Sequence, residues 1–260
     1  MRVLIISDIH GNLTALEEVL ADAERLKWLD RAGFDAVWSL GDIVGYGPWP
    51  NECIQRLQQF VGHLRVAGNH DWAALDRLDI DDFNPEARKM VVWTRNQLDS
   101  SSLAYLQSVP DYPIEAIPGG SFTITHASPR HPVWEYVYNT TIARENFDYF
   151  ATPYCLVGHT HVPRVYRLTV DPQTGRAYCN AHAPVQDLDI GLRDTHRLIL
   201  NPGSVGQPRD KDPRAAYALL DTDQETWRFR RVRYDFEVTQ SQMRQAGLPE
   251  RLIARLAYGW

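Results

Sequence analysis

Ser39-Leu40-Gly41-Asp42-Ile43-Val44-Gly45 closes a short apolar run, Ala36 to Leu40, and holds one carboxylate between two glycines. A run of that length reads as a buried strand, and the glycines mark where its backbone turns. A carboxylate at the mouth of a strand has two oxygens, so Asp42 can hold two metal ions a few ångströms apart. Upstream, Val3 to Ser7 reads as another buried strand, and it delivers Asp8 and His10. Between the two strands, Leu13, Leu16, Leu20, Ala23, Leu26 and Trp28 or Leu29 recur at helical spacing. Asn12 or Thr14 caps that helix and Gly33 ends it.

The unit then repeats. Pro50 to Val61 reads as helix and Leu64 to Ala67 as a strand delivering Gly68-Asn69-His70-Asp71. Alternation of this kind predicts a parallel sheet with crossover helices, whose functional loops gather at the carboxyl ends of the strands. Trp72 to Pro118 reads as a connector with helices over Pro85 to Gln97 and Ser101 to Ser108 and a proline-rich exit at Pro110, Pro113 and Pro118. Beyond Gly119-Gly120, Ser121 to Thr125 is a strand ending at His126, and Cys155 to Val157 is a strand leading into Gly158-His159-Thr160-His161. The aromatic stretch from Arg130 to Tyr154 lies between those two clusters and reads as core, with a roof over the site as the alternative.

From Val165 onward, strands follow one another without helices: Val165 to Val170, Arg197 to Leu200, Ala215 to Leu220 and Trp227 to Tyr234. They predict a second, largely antiparallel sheet. Asn180 to Arg193 reads as loop, and Val238 to Tyr258 as one or two surface helices. The whole of 1–260 is expected to form one domain.

The net charge of -6 argues against a protein that coats nucleic acid, which needs a basic surface to displace counterions. A nucleotide substrate remains compatible, because bound cations would make a site locally positive. Cys53, Cys155 and Cys179 form no C-x-x-C pair and are expected as free thiols. The apolar run from Val3 to Ile6 is too short for a signal-peptide core, and no run reaches membrane-spanning length, so a cytoplasmic protein without membrane contact is the expectation.

What the strand ends carry is ligand chemistry: Asp8 and His10, Asp42, Asn69 and His70, His126, then His159 and His161. A mix of carboxylate, imidazole and amide suits Mn, Fe or Zn, with Ni compatible, better than the all-oxygen shells of Ca or Mg. Arg130 and Arg209 could grip a phosphate or make structural ion pairs. Tyr46 and Trp49 read as packing residues, with stacking on a base as the alternative, and His63, His131, His182 and His196 as surface or hydrogen-bonded histidines, of which His131 is near enough to the His126 block to reach the cleft.

Asp8-Ile9-His10, Gly41-Asp42-Ile43-Val44-Gly45, Gly68-Asn69-His70-Asp71, His126 and Gly158-His159-Thr160-His161 together resemble the five signature blocks of the calcineurin-like metallophosphoesterases, in the family's order. The resemblance implies a four-layer αββα sandwich of two mixed sheets flanked by helices, with a dinuclear site at its edge. It implies that Asp8, His10, Asp42 and His161 ligate one divalent ion and Asp42, Asn69, His126 and His159 the second. His70 matches the family's catalytic histidine. The implied reaction is hydrolysis of a phosphodiester or small phosphomonoester by in-line attack of a metal-bridging hydroxide.

Where protein serine/threonine phosphatases of this superfamily carry Asp-Arg, this chain has Gly45-Tyr46, so the carboxylate that orients the histidine and the adjacent arginine are both missing. Gly45 to Pro48 and Asn201 to Arg209 look instead like the small prokaryotic phosphodiesterases and phosphatases, and more distantly like diadenosine-polyphosphate hydrolases. The expected partner is a small phosphorylated or nucleotide substrate. The rival reading is a non-catalytic metal-binding scaffold of the same fold, against which stands a complete ligand set together with His70.

Overall fold

The computed structural model describes residues 1–28, 31–60, 62–116, 120–193 and 196–260. Its organising strand is Arg2–Ile6, buried at every position because both of its faces are covered. Side chains alternate across a strand, and here the alternation sorts two cores. Leu4 and Ile6 pack with Leu16, Val19 and Leu20 of the Leu13–Arg25 helix and with Ile54 and Leu57 of the Pro50–Gln58 helix. Val3 and Ile5 pack with Trp38, Phe122, Leu156, Leu198 and Leu200, which makes them part of the layer between the sheets.

The first sheet runs from edge to edge through Asp189–Gly191, Thr226–Val232, Ala215–Asp221, Arg2–Ile6, Ala36–Ser39 and Leu64–Arg65. Arg2–Ile6 pairs parallel with Ala36–Ser39 and antiparallel with Ala215–Asp221, so the sheet is mixed. The second sheet runs through Ala177–His182, Arg164–Val170, Arg197–Asn201, Tyr154–Leu156, Phe122–Ile124 and Ile114–Glu115. Its outer face buries Cys155, Tyr166 and Ile199 against Ala143 of the Thr140–Asn146 helix and the adjoining Phe147. The order of layers is helix, sheet, sheet, helix, the αββα sandwich that the resemblance implied.

Three sequence expectations change, two of them in the late strands and one in the first helix. The strands after Val165 do not form one sheet of their own: Arg164–Val170, Ala177–His182 and Arg197–Asn201 complete the second sheet, while Ala215–Asp221 and Thr226–Val232 return to the first. Ala215–Asp221 is buried at all positions, as a strand beside Arg2–Ile6 in the middle of a covered sheet must be. The Asn180 to Arg193 stretch is only partly loop, since it contains the end of Ala177–His182 and the Asp189–Gly191 edge strand. Both are exposed or half-buried, so they show little apolar pattern to read.

The first helix stops at Arg25, where Leu26 turns extended (ψ 119), and Lys27–Trp28 pairs with Arg31–Ala32. Leu29, Val61, Pro118 and Gly119 lie outside the described residues. The connector helices are present at Pro85–Gln97 and Ser100–Gln107, capped by Asn84 and Asp99 through bonds from Ala87 N (2.9 Å) and Ser102 N (2.7 Å). The tail forms the helices Phe236–Gln245 and Glu250–Ala254. No helix among the described residues is long and apolar enough to cross a membrane.

Candidate metal centre

Each strand that carries a ligand in its wake ends at the same edge of the sandwich, and the backbone there is bent to a common purpose. Asp8 (φ 54°), His10 (φ 50°), Asp42 (φ 52°), His159 (φ 62°) and His161 (φ 58°) all adopt the left-handed conformation. Such φ values are uncommon outside glycine and mark places where the surroundings impose a geometry. Amides cross-brace the loops: His10 N donates to the Asp42 carbonyl (2.9 Å), Gly11 N to that of Ile43 (2.9 Å) and Gly158 N to that of His126 (2.7 Å). At Gly68 a Cβ would stand 2.0 Å from Asp42 Oδ1, and at Gly158 one would stand 1.9 Å from Ser7 Oγ, so neither loop could approach the centre with a side chain.

The structure brings all seven expected ligands together. Asp8, His10, Asp42 and His161 form one group of converging ligand atoms, and Asp42, His126 and His159 form another, all of them buried. Asn69 Oδ1 joins the second, 3.3 Å from His126 Nε2. Asp42 belongs to both groups through a single oxygen: Oδ2 lies 3.6 Å from His10 Nε2 and 3.4 Å from His126 Nε2. Oδ1 accepts from the amide of His70 (2.9 Å), which fixes the plane of the carboxylate.

The imidazoles are aimed by backbone carbonyls. Nδ1 of His10 lies 3.2 Å from the Val44 oxygen, Nδ1 of His126 2.7 Å from that of Leu40, and Nδ1 of His161 2.6 Å from that of Gln207. His159 is reversed: its Nε2 donates to the Trp134 carbonyl (3.2 Å), which leaves Nδ1 facing the centre. Ring nitrogens tied in this way are what fixes tautomer and aim in metal-binding histidines.

Charge follows burial. Burial holds His10, His159 and His161 far below the ordinary imidazole range, so they face the centre neutral, as ligands must. Burial also works against charge on Asp42, but His126, His70 and His10 outweigh it and hold the carboxyl well below its usual range. His126 is the reciprocal case: burial disfavours its charge, the Asp42 carboxylate favours it more, and it rises to about 9. Burial lifts Asp8 to about 7, with Asp42 adding to the rise. The neutral imidazoles of His10, His159 and His161 and the buried carboxylates of Asp8 and Asp42 offer lone pairs that fit divalent transition metals, and a cation beside Asp42 would replace the proton that the carboxylate now holds on His126.

His70 stands beside this centre. Its ring packs edge-on against His10 (4.9 Å) and Phe83 (5.2 Å) and tilts on Tyr46 (4.5 Å). Its Nδ1 is buried without a partner, and burial lowers it to about 4. The missing carboxylate has a steric counterpart: a Cβ at Gly45 would come within 2.9 Å of His10 Nδ1 and 3.0 Å of His70 Nδ1, so no aspartate fits there.

The two candidate arginines separate cleanly. Arg130 is paired with Glu135 and with Glu145 (2.7 Å), a structural role. Arg209 has no carboxylate within ion-pair distance among the described residues, and its guanidinium lies 5.8 Å from the Tyr46 ring, at the edge of the centre. The aromatic stretch divides too, with Phe147 in the core and Tyr136 tilted over His159 (3.9 Å) as roof.

Asp71 was quoted in the sequence only as part of its block. Its Oδ1 accepts from the amides of Ile43 (3.0 Å) and Val44 (3.1 Å) and its Oδ2 from Gly68 (3.0 Å), so it pins the two glycine-flanked loops to each other. Its position beside His70 was the one available signal. The orienting carbonyls of Leu40, Val44, Trp134 and Gln207 leave none, since every residue has a carbonyl.

Comparison with known proteins agrees with this geometry. Residues 1–225 match the calcineurin-like phosphoesterase superfamily domain. An uncharacterized protein of Methanocaldococcus jannaschii is 34% identical over 258 residues, covering 99% of this chain and 98% of that one. The crystal structure of a metallophosphoesterase from Sphaerobacter thermophilus is similar at 48% identity and a TM-score of 0.83, covering 100% of this chain and 99% of the other. A hypothetical protein from Pyrococcus horikoshii OT3 shares the fold at 22% identity and a TM-score of 0.76, covering 100% and 98%. A family match over most of the chain, with end-to-end identity at these levels, makes this protein a member of the calcineurin-like phosphoesterase superfamily.

Proposed function

We propose that the protein is a dinuclear metal-dependent phosphoesterase that hydrolyses a phosphodiester or a small phosphomonoester. The observation that carries the reading is the position of Asp42 in both ligand groups, with Oδ2 3.6 Å from His10 Nε2 and 3.4 Å from His126 Nε2. Asp8, His10, Asp42 and His161 would hold one ion, and Asp42, Asn69, His126 and His159 the other. Divalent ions held there lower the pKa of water and neutralise phosphoryl oxygens. Mn, Fe or Zn suits this donor set.

The chain's own groups divide the remaining work. His70, neutral and fixed by its packing against His10 and Tyr46, donates a hydrogen bond to the scissile phosphate or the leaving oxygen. Arg209, free of carboxylates, binds the phosphate as it enters. The absence of room for a carboxylate at Gly45 speaks against protein phosphatase chemistry, and the net charge of -6 against a stable nucleic-acid complex.

The test is hydrolysis of bis(p-nitrophenyl) phosphate against p-nitrophenyl phosphate. Metal-stripped protein is resupplied in turn with Mn, Fe, Zn, Ni and Mg, with Asp42→Asn and His70→Ala as variants. Metal-dependent turnover lost in both variants is the expected result, and the ratio of the two rates selects the ester class. Absence of turnover with every metal, despite tight binding of two ions, would favour the scaffold reading.

A further inference from the structure

Beyond the family-matched residues 1–225, the tail folds back beside the metal centre and closes a cleft of about 680 Å³. Tyr46, Tyr136 and Arg209 line it on the side of the centre, and Arg255, Tyr258 and Trp260 on the side of the tail. The tail's position is fixed by backbone. Gly259 O accepts from Lys211 N (2.8 Å), and at Gly259 (φ 64°) a Cβ would fall 2.6 Å from Asp212 N. Arg255 Nε closes the turn on the carbonyl of Trp260.

Two features of this cleft are not used up by the core or by acidic side chains. The first is aromatic. Tyr258 and Trp260 stack on each other (4.7 Å, 24°) yet remain 55% and 59% exposed, presenting ring surface instead of filling core. The second is cationic. Arg209 Nη2 and Arg255 Nη1 both donate to Gln207 Oε1, at 2.9 and 3.3 Å, and neither has an Asp or Glu carboxylate within ion-pair distance among the described residues. Arg130, Arg214, Arg228, Arg230 and Arg231, by contrast, are all ion-paired. Burial, with the charge of Arg209 next, lowers Arg255 to about 10. Gln207 is itself 1% exposed, and its backbone oxygen receives His161 Nδ1 (2.6 Å), so the arginine pair is tied directly to a ligand of the centre. The one acid on the opposite wall, Glu86, is engaged by Arg251 at 3.4 Å.

We propose that this cleft is a nucleotide subsite: the base stacks on the Tyr258–Trp260 pair, and a phosphate group beyond the scissile one lies between Arg209 and Arg255. A flat, sequence-tolerant stacking surface beside forked guanidiniums is the chemistry that recognises a nucleoside phosphate. An inorganic polyphosphate would use the arginines alone and leave the rings idle. The inference rests on the phosphoesterase reading for what happens at the metals, and it adds the substrate class and the residues that select it.

The test reads binding without turnover. Manganese-loaded protein is titrated by calorimetry with the non-hydrolysable α,β-methylene analogue of ADP, with methylenediphosphonate and with adenosine. The nucleotide analogue should bind at least about tenfold more tightly than either fragment, and Trp260→Ala and Arg255→Gln should each weaken it by about tenfold. Trp260→Tyr should restore most of the loss, which separates stacking from a folding defect. Analogue affinity unchanged in both variants, or equal to that of methylenediphosphonate, overturns the subsite. Analogue binding that behaves as expected in a protein that hydrolyses no phosphoester would refute the phosphoesterase reading and leave the subsite standing.

Discussion

His10 Nε2 and His161 Nε2 stand 3.1 Å apart, while Nδ1 of His10 is held by the Val44 carbonyl and Nδ1 of His161 by that of Gln207. Burial keeps both rings neutral, so each proton sits on the carbonyl-bonded nitrogen and two lone pairs face one another. That arrangement is repulsive without a cation. Metal should therefore stabilise the fold: manganese at a thousand times its Kd contributes about 4 kcal/mol per site. At roughly 2 °C per kcal/mol for a chain of this size, the unfolding temperature rises by about 8 °C for each site filled, and excess chelator reverses it. Identical melting curves with and without metal would contradict the convergence.

Gly68→Ala tests the close approach at the bridge. Its Cβ would stand 2.0 Å from Asp42 Oδ1 and 2.5 Å from the Asp42 amide. Either the loop or the carboxylate must move. The variant should lose more than about 3 kcal/mol of stability or, if it folds, lose its metal-dependent rise in unfolding temperature. Wild-type melting and metal response together would show that the loop has slack.

The seven converging residues were legible because each follows a strand, and parallel strands bring their carboxyl ends to one edge. Asp42 stood out for the same reason, as an acid between glycines at the close of an apolar run. The groups that aim the ligands were not legible, because Val44, Leu40, Trp134 and Gln207 act through backbone oxygens that no side chain announces. The division of the late strands was hidden as well. Ala215–Asp221 and Arg197–Asn201 are both largely apolar and buried, and nothing within either says which sheet it joins. Arg255 and Trp260 lie too far along the chain from Arg209 for spacing to connect them.

Asp71→Asn tests positioning without touching a ligand. The carboxylate takes three amide protons, from Ile43, Val44 and Gly68, and Val44 in turn holds the His10 ring. An amide group would set N–H against at least one of those donors. Metal affinity should fall by about 10- to 100-fold, the usual effect of losing a group that orients ligands. Calorimetric titration with manganese measures it, and unchanged affinity would reduce Asp71 to a structural brace.

His63 gives a pH test away from the centre. Burial, with Arg65 adding, lowers its pKa from 6.5 to about 4, and Tyr105 Oη lies 3.3 Å from its Nδ1. The unfolded chain therefore binds the extra proton between those two values. The stability that neutral His63 contributes is intact above pH 6.5 and is lost as pH falls toward about 4. The loss is about 2 kcal/mol after allowance for its partial exposure. Urea unfolding of wild type and His63→Gln at pH 7.5 and 4.5 should show the wild type losing more, and parallel losses would contradict the assignment.

The most direct test of a shared-carboxylate centre is metal stoichiometry, measured by inorganic mass spectrometry on wild type, His159→Ala and Asp42→Asn, with phosphodiester turnover recorded on the same samples. The account predicts two ions per wild-type chain and one in His159→Ala, which removes a ligand of only one group. In Asp42→Asn it predicts fewer than two, with turnover lost. Two ions and undiminished turnover in Asp42→Asn, or wild-type turnover that survives removal of all metal, would contradict it.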